Sequence, residues 1–158
     1  MYQAGIHRSF RASHYLDVDS VEEMRPHEHR YALELIVVGN ELDENGVVID
    51  RTVLDDCLTE LLQSVEGRLM NDEPFFDDCP PTAENIAHYL CDEMANRLTG
   101  EGLDLTRLAR LEVRLWESAS FWASYVREPG AKPQGTGPSP RKRAPSGREP
   151  VKKPRRQG

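Results

Sequence analysis

The 158-residue sequence predicts an α+β fold, a four-stranded antiparallel sheet with two helices inserted between strand pairs. Three observations carry that expectation. Apolar and polar side chains alternate near both ends of residues 1–126, as along half-buried strands, while in two central stretches apolar residues recur every three or four positions, as on helices. The resulting order is strand, strand, helix, helix, strand, strand, which groups the helices between two hairpins. A hydrophobic content of 38% suits one domain with a modest core.

The first strand is read in IHRSFRASHYL, where Ile6, Phe10 and Ala12 mark one face. A second lies in YALELIVVG, before a turn at Asn45-Gly46, and the two are expected to be neighbours in a hairpin or meander. From Asp50 the period changes: Val53, Leu54, Cys57, Leu58, Leu61, Leu62 and Val65 form one helical face, and the helix stops near Gly67. A second helix follows CPPT. Thr82 is its expected N-cap, Glu84 suits the positive helix end, and Ile86, Ala87, Leu90, Met94 and Leu98 line one side before Gly100 and Gly102 end it. In RLEVRLWESASFWASY alternation returns. Leu111, Val113 and Leu115 oppose Glu112, Arg114 and Trp116, and a short turn leads to a last strand over Phe121 to Tyr125.

The net charge of −7 hides a division, because residues 127–158 carry +8 and the rest of the chain −15. This tail is rich in proline, glycine and base and has too little apolar surface to offset the entropy of ordering, so it is read as disordered, with RKR and KKPRR able to make weak polyanion contacts. The folded unit is then residues 1–126. Three cysteines, Cys57, Cys79 and Cys91, match neither a disulfide framework nor a CxxC knuckle and read as free thiols. No apolar run reaches membrane-spanning length and MYQAGIHRSF lacks the layout of a secretion signal, so the expected compartment is the cytoplasm.

The chemistry centres on RPHEHRY, residues 25–31. If the following apolar run continues as a strand, His27 and His29 point to one face and Glu28 to the other, which is a metal-binding geometry. A catalytic zinc site takes three protein donors and an open fourth position. His14 is the best third donor, since it ends the first strand and the hairpin lays it beside the second, whereas His7 and His88 sit in less suitable contexts.

Five blocks, FRASH, HEHRYALELIVVG, GVVIDRTVL, PPTAENIAHYL and LEVRLWESASFWASY, resemble in order and spacing the 6-pyruvoyl- and 6-carboxytetrahydropterin synthase family. The resemblance spans roughly residues 5–126. It implies a tunnelling-fold subunit that assembles into a barrel-like homohexamer with sites between subunits, zinc held by His14, His27 and His29, and a pterin substrate anchored by Glu117. A carboxylate there can accept two parallel hydrogen bonds from the 2-amino and ring N–H groups of a pterin. Thr82 and Glu84 serve mainly as capping residues, with ligand contact as a second role.

The pattern breaks at two places. Family members that make pyruvoyl or carboxy pterins carry a cysteine four residues before the histidine pair, where this chain has Glu23, and a DHxxLN block whose histidine is here Gly67, after Glu66. Proton transfer then falls to Glu23, with Glu66 as a second carboxylate. In the resemblance, glutamate at that position goes with side-chain cleavage of dihydroneopterin substrates to 6-hydroxymethyldihydropterin. The expected function is therefore a zinc-dependent carbon-carbon or carbon-oxygen lyase acting on 7,8-dihydroneopterin or its triphosphate. The alternative is a pterin- or purine-binding homologue without catalysis.

Overall fold

The computed structural model of the chain describes residues 1–18 and 20–129. Six main elements follow in order: β1 (Tyr2–His14), β2 (His27–Gly39), α1 (Arg51–Val65), α2 (Ala83–Gly100), β3 (Leu108–Trp116) and β4 (Trp122–Arg127). They form one antiparallel sheet of order β1-β2-β3-β4, with both helices packed on one face. The expected α+β architecture is the observed one. The tail read from the sequence lies outside the described residues from position 130 onward, and its first residue, Arg127, is the last residue of β4.

The two-residue period decides which side chains enter the core. Phe10 and Ala12 of β1, Tyr31, Leu33, Leu35 and Val37 of β2, and Leu111, Val113 and Leu115 of β3 all face the helices and are buried. Against them pack Leu54, Leu58 and Leu61 of α1 and Ile86, Leu90, Met94 and Leu98 of α2. Asp50 caps α1 by accepting from Thr52 N–H, and Thr82 caps α2 by accepting from Asn85 N–H, as the sequence predicts for Thr82. Cys57 and Cys91 are buried free thiols, and burial pushes the Cys91 thiol up to about 12.

Leu90 of α2 is fully buried in the core between the helices and the sheet. Truncating it to alanine is expected to cost about 2–5 kcal/mol, read as a lower denaturation midpoint with an unchanged slope.

The opposite face of the sheet carries a paired polar cluster beside the apolar side chains of Ile36 and Val38. Arg114 donates to Glu34 at 3.1 Å and to Glu112 at 2.9 Å, and its guanidinium lies over the rings of Trp116 and Trp122 at 5.9 and 5.3 Å. These contacts offset the burial of the Glu112 carboxyl, whose residue is only 4% exposed.

Three short 3-10 turns, Met70–Asp72, Pro74–Asp77 and Leu105–Arg107, were not anticipated by the periodicity. The first two belong to the long α1–α2 connection, which runs back to the end of β1. There Gly67 N–H donates to Arg11 C=O at 2.7 Å and Ser13 N–H to Arg68 C=O at 2.8 Å. Gly67 sits at φ +70°, a left-handed conformation that ends α1 and turns the chain towards β1. Backbone geometry therefore gives a reason for glycine at the position where the family resemblance implies histidine. Among the described residues no helix is long and apolar enough to cross a membrane.

A candidate three-histidine metal centre

β1 and β2 pair so that His14 lies opposite His27, and Ala12 opposite His29. His14 ends the inward row of Phe10 and Ala12, while His27 and His29 open the inward row that continues through Tyr31. All three imidazoles consequently converge beyond the end of the helix-packed core. One potential ligand atom from each lies within 4.8 Å of the others, and the ring centroids are 4.6–5.0 Å apart.

Hydrogen bonding settles which nitrogens are available. His14 Nδ1 is 2.7 Å from Pro81 C=O and His27 Nδ1 is 2.9 Å from Arg25 C=O. A carbonyl only accepts, so both Nδ1 atoms carry the proton, and in the neutral rings the lone pair rests on Nε2. Both Nε2 atoms are buried without a hydrogen-bond partner. Burial of such groups unpaired is costly, and a divalent cation would use both lone pairs at once. Burial also holds the His29 imidazole below its usual pKa, with Glu117 opposing and the other two histidines reinforcing the shift. A donor set of three imidazole nitrogens fits zinc.

The Pro81 carbonyl comes from the loop before α2, and that loop is itself clamped. Pro80 C=O accepts from Thr82 N–H at 2.9 Å and from Asn85 Nδ2 at 2.8 Å. Asn71 braces β1 from the other side, exchanging hydrogen bonds with the backbone of Tyr15 at 2.9 and 3.0 Å. His14, 2% exposed, is thus the rigid member of the trio.

Two carboxylates border the histidines. Glu117 continues the inward row of Leu111, Val113 and Leu115, and the β3–β4 turn, in which Glu117 N–H donates to Phe121 C=O, carries it to the site. Its Oε1 stands 3.5 Å from Nε2 of both His14 and His29. Glu23 lies on the β1–β2 loop, anchored by Leu16 N–H donating to its carbonyl at 2.7 Å, and its Oε2 is 3.6 Å from His27 Nε2. Adjacent Glu22 is exposed and makes no such contact among the described residues.

The remaining predicted site residues lie differently. Glu66 accepts from the Arg11 backbone N–H at 2.8 Å and from Arg11 Nε at 3.2 Å, bonds that hold its carboxyl below the usual range. It is thereby engaged by β1 and not by a histidine. Thr82 is the α2 cap, and Glu84 is exposed in the first turn of that helix.

Sequence reasoning missed Tyr31. Its ring is fully buried, stacks on Phe10 at 5.2 Å, and lies 5.5 Å from the His29 ring, yet its Oη has no hydrogen-bond partner. Burial and then Glu117 push its phenol well above the usual range. The signal was available in the spacing, because His27, His29 and Tyr31 share one strand face.

This fold and its site define a small α+β protein with three histidines placed to hold a metal ion and two carboxylates at their border. Residues 5–128 match the model of the 6-pyruvoyl tetrahydropterin synthase family, and the chain belongs to that family. It is 35% identical to the 6-pyruvoyl tetrahydrobiopterin synthase of Poecilia reticulata over 46% of this chain and 50% of that protein, so the match spans half the length of that relative. It is 27% identical to the 6-carboxy-5,6,7,8-tetrahydropterin synthase of Aquifex aeolicus, over 65% of this chain and 74% of that one. Among solved structures, the Caenorhabditis elegans 6-pyruvoyl tetrahydropterin synthase superposes with a TM-score of 0.62 at 23% identity, covering 79% of this chain and 96% of that one. A Plasmodium vivax 6-pyruvoyltetrahydropterin synthase carrying a catalytic-residue substitution gives 0.63 at 18% identity, over 81% and 99% of the two chains. Both likenesses concern the fold.

Proposed function

We propose that this protein is a zinc-dependent pterin lyase that acts on 7,8-dihydroneopterin or its triphosphate and cleaves the side chain to 6-hydroxymethyl-7,8-dihydropterin. The observation that carries this reading is the placement of Glu23, a carboxylate 3.6 Å from His27 Nε2 at the rim of the histidine cluster. His14, His27 and His29 would hold the ion, which when bound supplies a positive charge that polarises a side-chain oxygen of the substrate. Glu117 pairs with the 2-amino and ring N–H groups and fixes the bicycle. Glu23 then removes the proton of the 2′-hydroxyl, the C1′–C2′ bond breaks, and its electron pair passes into the ring imine. Glycolaldehyde, or its triphosphate ester, leaves, and Glu23 returns the proton to C1′ as the electron pair comes back from the ring, which completes the hydroxymethyl group. The Plasmodium vivax structure, whose substituted catalytic residue is a glutamate, shows that a relative can use this residue type. Glu66 serves to bind the α1–α2 connection to β1, and Thr82 and Glu84 contribute through the start of α2.

We further infer a homohexamer, in which the outward backbone groups of the edge strands β1 and β4 find partners in neighbouring subunits.

The test is incubation of zinc-loaded protein with each substrate and resolution of the products by mass. Loss of the two-carbon fragment is expected, and turnover of neither substrate overturns the reading. One observation favours a second reading, a pterin-binding homologue without catalysis: the family's histidine position is Gly67, and the adjacent Glu66 is tied to Arg11. That reading predicts stoichiometric zinc and pterin binding with no product.

A further inference from the structure

Three buried polar atoms without partners gather at one place, His14 Nε2, His27 Nε2 and Tyr31 Oη. A cation held by the histidines accounts for the two nitrogens. It leaves the phenol unexplained. Native proteins rarely strand a buried hydroxyl, and one that persists beside a binding site points to a partner present only in the working state. Tyr31 has no freedom to find that partner in solvent, because the ring is fully buried and stacked on Phe10, its cross-strand neighbour.

The surroundings limit the choice of acceptor. The phenol is a hydrogen-bond donor at neutral pH by its ordinary chemistry. The nearby His14 and His27 nitrogens offer their Nε2 lone pairs to the metal. Glu117 is the carboxylate with the strongest influence on the phenol, ahead of Glu23, acting through its charge and through an incipient side-chain contact that does not close to a full hydrogen bond. Its Oε1 is turned towards His14 and His29 at 3.5 Å, as expected of a carboxylate drawn to a cation site. A carboxylate in that orientation is a competitor for the metal's open position, whereas pairing with a planar heterocycle requires it to turn its edge to the ligand. Such bidentate pairing uses one lone pair on each oxygen, which leaves a further lone pair for another donor.

We propose that Tyr31 is the positioning residue that makes Glu117 a heterocycle anchor: on ligand binding, Tyr31 Oη donates to the Glu117 carboxylate and fixes its plane against the 2-amino and ring N–H donors. This rests on the pterin reading of the site. In the free protein the hydroxyl faces Glu117 without closing to a full hydrogen bond, and ligand binding completes it, so until then the buried hydroxyl is a cost carried for function.

Tyr31→Phe removes one oxygen and keeps the ring, and three measurements on the full chain separate the possibilities. Pterin affinity, followed by the ligand's fluorescence on zinc-loaded protein, is expected to fall about tenfold. Zinc affinity, from chelator competition, is expected to stay within about threefold, and the melting temperature of the ligand-free variant is expected to hold or rise by a few degrees. A purely structural tyrosine would instead lower that melting temperature, and such a fall, or unchanged pterin affinity, overturns the proposal. Wild-type protein that binds zinc but no pterin would overturn the underlying functional reading and this inference with it, an outcome distinct from wild-type binding that the variant merely retains.

Discussion

Glu23→Gln is expected to lower kcat for side-chain cleavage by about 10²- to 10⁴-fold, the range over which a positioned general base contributes. Glutamine preserves the length and shape of the side chain but accepts no proton. The loop that presents it stays in place, because its anchoring hydrogen bond, from Leu16 N–H, goes to the backbone carbonyl of residue 23. The side chain is 42% exposed, so the substitution falls in the class of surface changes that move stability by about 0.5 kcal/mol or less. Zinc content and pterin affinity should therefore survive while turnover fails, a separation measured by metal analysis, ligand titration and single-turnover product formation. A variant that keeps the wild-type rate would remove Glu23 from the chemistry. A loss of metal together with rate would assign the residue to the site's architecture.

His27→Ala is expected to weaken zinc binding at least about a hundredfold. Structural zinc sites gain about 10–16 kcal/mol in all, roughly 3 kcal/mol for each of four ligands, and each 1.4 kcal/mol is a factor of ten. His27 is a cleaner target than His14. Its side chain is 28% exposed and its Nδ1 bonds only the nearby Arg25 carbonyl, whereas removing His14 would also strand the Pro81 carbonyl beside the core. The consequence reaches stability through mass action. Zinc at about 100 times its wild-type Kd stabilises the folded chain by about 2.7 kcal/mol, and the variant should lose most of that increment while its metal-free melting temperature changes little. Chelator competition and paired melts with and without zinc measure both effects. Equal zinc affinity in the two proteins would mean that the histidine cluster is not the binding site.

Together the two variants divide the site by function. His27→Ala acts on the charge available to the substrate, and Glu23→Gln acts on the proton. Tyr31→Phe, by contrast, should spare metal and fold and weaken only the grip on the heterocycle.

Much of the architecture was legible because it rests on local periods. Leu111, Val113 and Leu115 announce a strand by alternation, and the apolar residues from Leu54 to Val65 announce a helix by three- and four-residue spacing. The long connection between the helices was not legible. Its 3-10 turns are too short to show a period, and its attachment to β1 through Gly67 and Arg68 depends on backbone partners more than fifty residues away in the chain.

The site divides along the same line. Sequence alone determined that His27 and His29 share a face, since side-chain direction along a strand is a property of the strand itself, and an antiparallel hairpin was enough to nominate His14. Only the tertiary structure decided which imidazole nitrogens are free, because the carbonyl that sets the His14 tautomer belongs to Pro81, 67 positions away. It likewise brought Glu117 to the histidines and committed Glu66 to Arg11. The physical reason is that hydrogen-bond partners and charge neighbours are set by strand register and packing across the fold, where residues remote in sequence meet, and a linear pattern carries direction without distance.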